Sequence, residues 1–146
     1  MRPLIAALAA LLALPAAGEE PSQPSEDELE CVAEAVYHEA RGTSEASQEA
    51  VAHVVVNRAE DEDFPDDVCA VVEDRCQFSY ECDGKSEAMT EPEERTEAVE
   101  AAQEVLEGEA PDPTGGALYY HNDTVIPDWA EDFQPTRKLG GHTFYR

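Results

Sequence analysis

The sequence predicts an α+β domain, mainly helical, with a small β element late in the chain. Three stretches repeat apolar residues at helical spacing, and Gly or Pro punctuates the joins between them. Beyond Pro111 the character changes to turn residues followed by short aromatic runs, the pattern of strands. Helices first and strands afterwards is the order of an α+β fold, not of alternating βαβ units.

The first helix opens at Ser25 and Glu28, which form an S-x-x-E capping box. Leu29, Val32, Ala33, Val36, Tyr37 and Ala40 then recur at i, i+3, i+4, i+7, i+8 and i+11, one continuous stripe. Gly42 stands where a glycine ends a helix. Glu39 falls at the border of the stripe and His38 points away from it. Thr43 or Ser44 caps a second helix with Ala46, Ala50, Val51, Val54, Val55 and Arg58 on one face. Glu49, His53 and Asn57 lie off that face, which makes His53 a polar-face histidine.

Pro65-Asp66 starts a short helical turn carrying Val68, Cys69, Val71 and Val72. Residues 75–84 are too short and turn-rich for a helix and read as a strand or loop pinned by cysteine. A third long helix is expected from Thr90, with Glu93 completing a capping box around Pro92 and Gly108 as the stop. Ala117–Asn122 reads as a strand, Ile126–Phe133 holds Trp129, and Gly140-Gly141 precedes a terminal strand, His142–Arg146.

Residues 1–18 have the pattern of a secretory signal: Met1-Arg2, an apolar run from Leu4 to Leu14, then small residues with cleavage equally suited to follow Ala16, Ala17 or Gly18. Residues 19–27 read as an acidic, mobile leader and 28–146 as the folded domain. A periplasmic or secreted monomer is expected, free of the membrane once the signal is cleaved. The remaining chain, about 128 residues, is one domain's worth. Four cysteines in an exported chain argue for two disulfides among Cys31, Cys69, Cys76 and Cys82. Three connectivities are possible; Cys31–Cys69 with Cys76–Cys82 is favoured here, the others staying open. No C-x-x-C pair supports zinc, so no metal and no cofactor are expected.

The chain carries 34 acidic and 9 basic residues, net −25. Such a balance argues against a nucleic-acid partner, which needs a basic footprint. It suits solubility in brine, where counterions screen self-repulsion, although acidic surfaces also occur without salt.

Candidate chemistry narrows by elimination. His38-Glu39 would need a histidine at 42 to make a metalloprotease motif, and Gly42 stands there; no G-x-S-x-G nucleophile elbow occurs. What survives is acid/base work by Glu39 in a polar, aromatic cleft. Gln77, Ser79, Tyr119, Tyr120, His121, Asn122 and Trp129 are its candidate walls. Aromatic faces and amides suit a sugar chain, which offers apolar C–H faces and many hydroxyls. Tyr119, Phe78 and Trp129 would equally well be core.

Six blocks then carry a resemblance: C-V-A-E-A-V-Y-H-E-A-R-G, Q-E-A-V-A-H-V-V-V-N-R, F-P-D-D-V-C-A-V-V, C-Q-F-S-Y-E-C-D-G, D-P-T-G-G-A-L-Y-Y-H-N and G-G-H-T-F-Y-R. In this order and spacing, from Cys31 to Arg146, the chain resembles the SleB/CwlJ cell wall hydrolases, relatives of the spore cortex-lytic enzymes. The resemblance implies a lysozyme-like catalytic domain that cuts peptidoglycan glycan strands, as a lytic transglycosylase in the better-studied members. It places the catalytic role on Glu39, the glutamate of E-A-R-G. Gln77, Ser79, Tyr119, Tyr120, Asn122 and Trp129 are then the expected substrate-binding residues. A separate peptidoglycan-binding domain, carried by many spore members, has no counterpart here. The four cysteines resemble exported Gram-negative members more than the spore enzymes.

The acid role needs an apolar, partly dry surrounding that keeps a proton on Glu39, so Arg41 is expected to turn away into a structural ion pair. A hydrolytic muramidase, an amidase cutting the stem peptide, and a non-catalytic wall-binding module are the alternatives.

Overall fold

A computed structural model describes residues 23–146; the expected signal and the start of the leader lie outside the described residues. Helix α1 runs Glu26–Ala40 with Ser25 as its cap: Glu28 N–H donates to the Ser25 hydroxyl, and Glu28 Oε2 accepts from Ser25 N–H at 2.8 Å. The cap places Glu26 and Asp27 in the first turn, so the helix starts two residues before the domain boundary drawn at 28. Acids there complement the positive end of the helix dipole. At the other end, Gly42 takes φ +74°. Only the left-handed region turns the chain there, which is why glycine suits the position.

Helix α2, Glu45–Ala59, is the central element, and here the expected faces fail. Ser47, Gln48 and every residue from Ala50 to Val55 are buried, His53 among them. His53 Nε2–H donates to the Ala110 carbonyl at 3.1 Å, so it is a satisfied interior histidine, not a polar-face one. The reason is that α2 packs on α1, α3 (Val68–Glu73) and α4 (Pro92–Leu106) on one side and meets the sheet on another. A helix covered nearly all round loses its amphipathic stripe.

α4 also begins differently from the expectation. Its cap is Glu91, without a side-chain cap bond, and no Thr90–Glu93 capping box forms. Pro92 fits the first helical position, which makes the residue before it the cap. Tyr37 helps fix that start, because Glu91 N–H donates to its hydroxyl at 3.2 Å.

Three strands form one antiparallel sheet in the order β1–β3–β2, with β1 at Tyr119–Asn122, β2 at Pro135–Leu139 and β3 at His142–Tyr145. β3 is buried throughout, while β2 is a largely exposed edge that the sequence pattern does not announce. Gly140 and Gly141, both at positive φ, join β2 to β3 as a two-residue hairpin turn. Gly140 lies so close to α2 that a Cβ there would run into the Ser47 side chain. Residues 75–84 are neither strand nor plain loop: they fold as 3-10 turns at Asp74–Cys76 and Ser79–Cys82, with Arg75 and Cys76 left-handed.

The main core gathers Val32, Val36 and Tyr37 with Val51, Val55, Val71, Ala98, Ala102 and Phe78. A smaller cluster of Ala50, Val54, Ala117 and Phe144 joins α2 to the sheet. Disulfide Cys31–Cys69 ties α1 to α3, and Cys76–Cys82 closes the 3-10 segment. No helix among the described residues is long and apolar enough to cross a membrane.

Candidate functional site

Glu39 sits in the last turn of α1, partly exposed, where the stripe of that helix meets a groove. β1 comes to it from the other side. Asp112 sets up that approach: it accepts from Thr114 N–H (2.7 Å) and Gly116 N–H (2.8 Å) and from Asn57 of α2 (3.1 Å). Asn57 also donates to the Ala117 carbonyl, so the Asp-Pro-Thr-Gly-Gly turn is pinned to α2 just ahead of the strand. Burial acts to raise the Asp112 carboxyl, but the bonds from Thr114, Asn57 and Gly116 outweigh it and hold it below its ordinary value.

The strand so placed brings the Tyr120 hydroxyl to Glu39, donating to Oε2 at 2.9 Å. Burial first, then the Glu39 charge, push the Tyr120 pKa well above its ordinary value, so this phenol keeps its proton and stays a donor. The Tyr120 ring packs edge-on to His142 (5.2 Å between centroids) and tilted against Phe144 (5.6 Å). His142 is buried, and burial lowers its pKa against the pull of Glu39 and Asp123. Its Nδ1 has no hydrogen-bond partner among the described residues.

Beneath the groove lies Arg58, 5% exposed. Its Nε–H donates to the Leu118 carbonyl at 2.7 Å, and the guanidinium sits 5.2–5.9 Å from the ring centroids of Phe64, Phe78 and Tyr119. Nη1 is buried without a partner among the described residues. Burial lowers the Arg58 pKa, opposed by Tyr120, Tyr119, Asp74 and Glu39.

Three adjoining cavities make the groove. The central one, about 270 Å³, is lined by Glu39, Gln77, Ser79, Tyr120 and Asn122 together with Arg58, His121 and His142. Through Arg58, Gln77 and Tyr120 it adjoins a cavity of about 320 Å³ walled by Tyr119, Trp129 and Phe133. Through Glu39 and Ser79 it adjoins one of about 390 Å³ that includes Arg41, Tyr80 and Lys85. All six expected substrate-binding residues therefore meet Glu39 in one groove. Tyr119 and Trp129 are partly exposed on it, their centroids 6.0 Å apart, whereas Phe78 is 1% exposed and belongs to the core. Cys76–Cys82 closes the segment that carries Gln77 and Ser79.

Arg41 does not turn away. It lines the same cavity as Glu39, and it makes no ion pair among the described residues. Arg58 and His142 are the residues that sequence reasoning missed. A signal existed for each: an arginine inside a valine stripe, and a histidine two residues before Phe144, hence on the same strand face.

The described residues hold one cluster with metal-ligand spacing, Glu45, Glu49 and Glu104, whose ligand atoms lie within 4.8 Å of one another. Two of them line a cleft between α2 and α4 that shares no residue with the groove.

Residues 42–145 match the family described as Cell Wall Hydrolase. The spore cortex-lytic enzyme of Halalkalibacterium halodurans is 37% identical over 125 residues, which cover 85% of this chain and 36% of that enzyme. The spore cortex-lytic enzyme of Bacillus cereus is 35% identical over 125 residues, which cover 85% of this chain and 46% of that enzyme. The chain thus spans less than half of either relative. Among solved structures, the catalytic domain of the germination-specific lytic transglycosylase SleB from Bacillus anthracis superposes with a TM-score of 0.72. It is 34% identical, with 86% of this chain and 99% of that one covered. The catalytic domain of Bacillus cereus SleB gives the same TM-score, 0.72, at 32% identity, covering 90% and 100%. The mainly helical fold with a late small sheet is the fold of these domains.

Proposed function

The chain belongs to the cell wall hydrolase family, and from that premise we propose that it cleaves peptidoglycan glycan strands as a lytic transglycosylase. The bond cut is the glycosidic link between N-acetylmuramic acid and N-acetylglucosamine, and the product ends in a 1,6-anhydro sugar. The catalytic domain runs from the α1 cap at Ser25 to residue 146, and the signal at 1–18 exports it to the periplasm or beyond. Neither a cofactor nor a second subunit is required by this reading.

One observation carries it: among the residues lining the central cavity, Glu39 is the single carboxylate. Glycosidases that work with two carboxylates set them about 5–10 Å apart across the scissile bond. With one carboxylate the substrate must supply the second group. Glu39 protonates the glycosidic oxygen, and the carbonyl of the sugar's own acetamido group stabilises the oxocarbenium-like carbon. The resulting Glu39 carboxylate then takes the proton from the sugar's 6-hydroxyl, whose oxygen closes on that carbon. Tyr120 holds Oε2 throughout, which leaves Oε1, without a hydrogen bond among the described residues, for the travelling proton. Tyr119 and Trp129 offer faces for sugar C–H surfaces, and Gln77, Ser79 and Asn122 offer polar groups for hydroxyls and acetamides.

The test is to incubate the mature protein with purified sacculi and weigh the soluble products. Anhydro-muropeptides support the proposal. Reducing-end muropeptides would mean a muramidase, free peptides an amidase, and no soluble product a binding module.

A further inference from the structure

In a chain of net charge −25, positive charge collects at the groove. Its charged lining residues are Glu39 and Asp83 against Arg41, Arg58 and Lys85, a balance of +1. The α2–α4 cleft, in contrast, is lined by four glutamates and no cation. A cleft of opposite sign to the body of a protein concentrates ligands of opposite charge to the cleft.

The three cations are not equivalent. Lys85 is paired with Asp83 at 3.2 Å, and Arg58 is buried in the floor. Arg41 remains. It is exposed, and no carboxylate among the described residues comes within 4.0 Å of it. It is nonetheless held from behind: Nη1 donates to the Tyr37 hydroxyl at 3.1 Å, and the guanidinium lies 5.0 Å from that ring's centroid. Tyr37 is itself fixed, 1% exposed and bound by Glu91 N–H. A guanidinium anchored on one side and unpaired on the other presents a planar fork of donors, the complement of a carboxylate.

We infer that the cavity shared by Arg41 and Glu39 is a subsite for a carboxylate carried on the 3-oxygen substituent of the muramic acid residue, and that Arg41 selects strands bearing it. The inference rests on the glycan-cleaving reading above. Two sources share this chemistry: the acidic residues of the stem peptide, and the lactyl carboxylate left when that peptide is removed.

The test uses the full mature chain on three substrates: native sacculi, sacculi whose carboxyl groups have been converted to amides with carbodiimide and ammonia, and strands stripped of peptide by an amidase. Arg41→Gln should raise KM on native sacculi about 5- to 20-fold, the loss of a charged hydrogen bond discounted for exposure, with kcat within about twofold. On amidated sacculi the same variant should match wild type. Arg95→Gln removes an equal charge outside the groove and corrects for general repulsion between acidic protein and acidic wall. Arg41→Lys should restore part of the preference. The lactyl carboxyl of a native strand is tied up in its amide to the peptide. A loss on native sacculi that vanishes on stripped strands therefore assigns the ligand to the stem peptide, and a loss confined to stripped strands assigns it to the lactyl carboxylate. An Arg41→Gln loss of equal size on native and amidated sacculi, or no loss on any of the three substrates, overturns the subsite. Should wild type release no product, the glycan-cleaving reading fails instead. Co-sedimentation of wild type and Arg41→Gln with native and amidated sacculi then still decides the subsite, which is overturned if both proteins bind both materials alike.

Discussion

Tyr120 and Glu39 stand 81 residues apart in sequence, yet the tyrosine hydroxyl donates to Glu39 Oε2 at 2.9 Å. The bond joins the end of α1 to the first strand of the sheet, so the two halves of the fold meet at this carboxylate. A partly buried phenol that keeps its proton also fixes which carboxylate oxygen stays available.

Tyr120→Phe tests that role. The ring remains packed on His142 and Phe144, and only the donor is lost. A hydrogen bond to a charged group is worth about 1.5–3 kcal/mol, so kcat should fall at least about tenfold while KM stays within about twofold. Thermal unfolding should show a loss on the order of 1 kcal/mol. An unchanged kcat would remove Tyr120 from the orientation of Glu39.

Stability should respond to pH through Glu34. Burial first, then the charge of Glu81 with Glu87 and Glu30 behind it, raise its pKa to about 7 from 4.5. The folded state therefore binds this proton more tightly than the unfolded chain. Below about pH 4.5 the carboxyl is neutral in both states and carries no penalty; the penalty grows through pH 4.5–7 and is complete above it. Glu34→Gln mimics the protonated form, so it should raise Tm at about pH 8 and leave it nearly unchanged at about pH 4. Equal shifts at both pH values would refute the assignment.

Much of this was legible in the sequence, and the exceptions have physical causes. α1 could be read residue by residue because its cap is local and only one face is covered. α2 could not: Arg58 is buried with the face expected for it, but burial on several sides also covers His53, expected off that face, and helical period cannot report what surrounds a helix. β2 went unseen because an exposed edge strand such as Pro-Thr-Arg-Lys-Leu has no apolar alternation to display. In the groove, residue types suited to sugar were visible as short blocks. The bond between Tyr120 and Glu39 was not, since a contact across 81 residues leaves no local spacing to find.

The two disulfides should separate stability from activity. Cys31–Cys69 closes a span of 38 residues and Cys76–Cys82 one of 6. Loop-closure entropy alone then makes the first worth about 4 kcal/mol and the second about 2 kcal/mol. Replacing Cys31 and Cys69 by serine should lower Tm more. Replacing Cys76 and Cys82 should lower turnover more, because that loop carries Gln77 and Ser79 into the groove. Intact-mass measurement after alkylation without reduction should find no free thiol in the wild type, and labelled cysteines would contradict both pairings.

Glu39→Gln is the decisive substitution for the proposed chemistry. The change is nearly isosteric and the side chain is partly exposed, so stability should move by less than about 1 kcal/mol. The substituted amide could still accept from Tyr120 through its carbonyl oxygen, which keeps the local geometry, but it cannot give a proton and take one back. General acid/base catalysis is typically worth about 10²–10⁴-fold, and in the proposed mechanism one residue serves in both steps. The loss should therefore fall on kcat, with glycan binding retained. Glu28 would be a poor control, since its carboxylate closes the cap of α1. Glu26 is exposed on the same helix outside the groove, and Glu26→Gln should leave turnover unchanged. Circular dichroism checks that both variants fold, and release of anhydro-muropeptides is the readout. If Glu39→Gln kept more than about a tenth of wild-type turnover, short of that catalytic range, proton transfer would have to be assigned to another group.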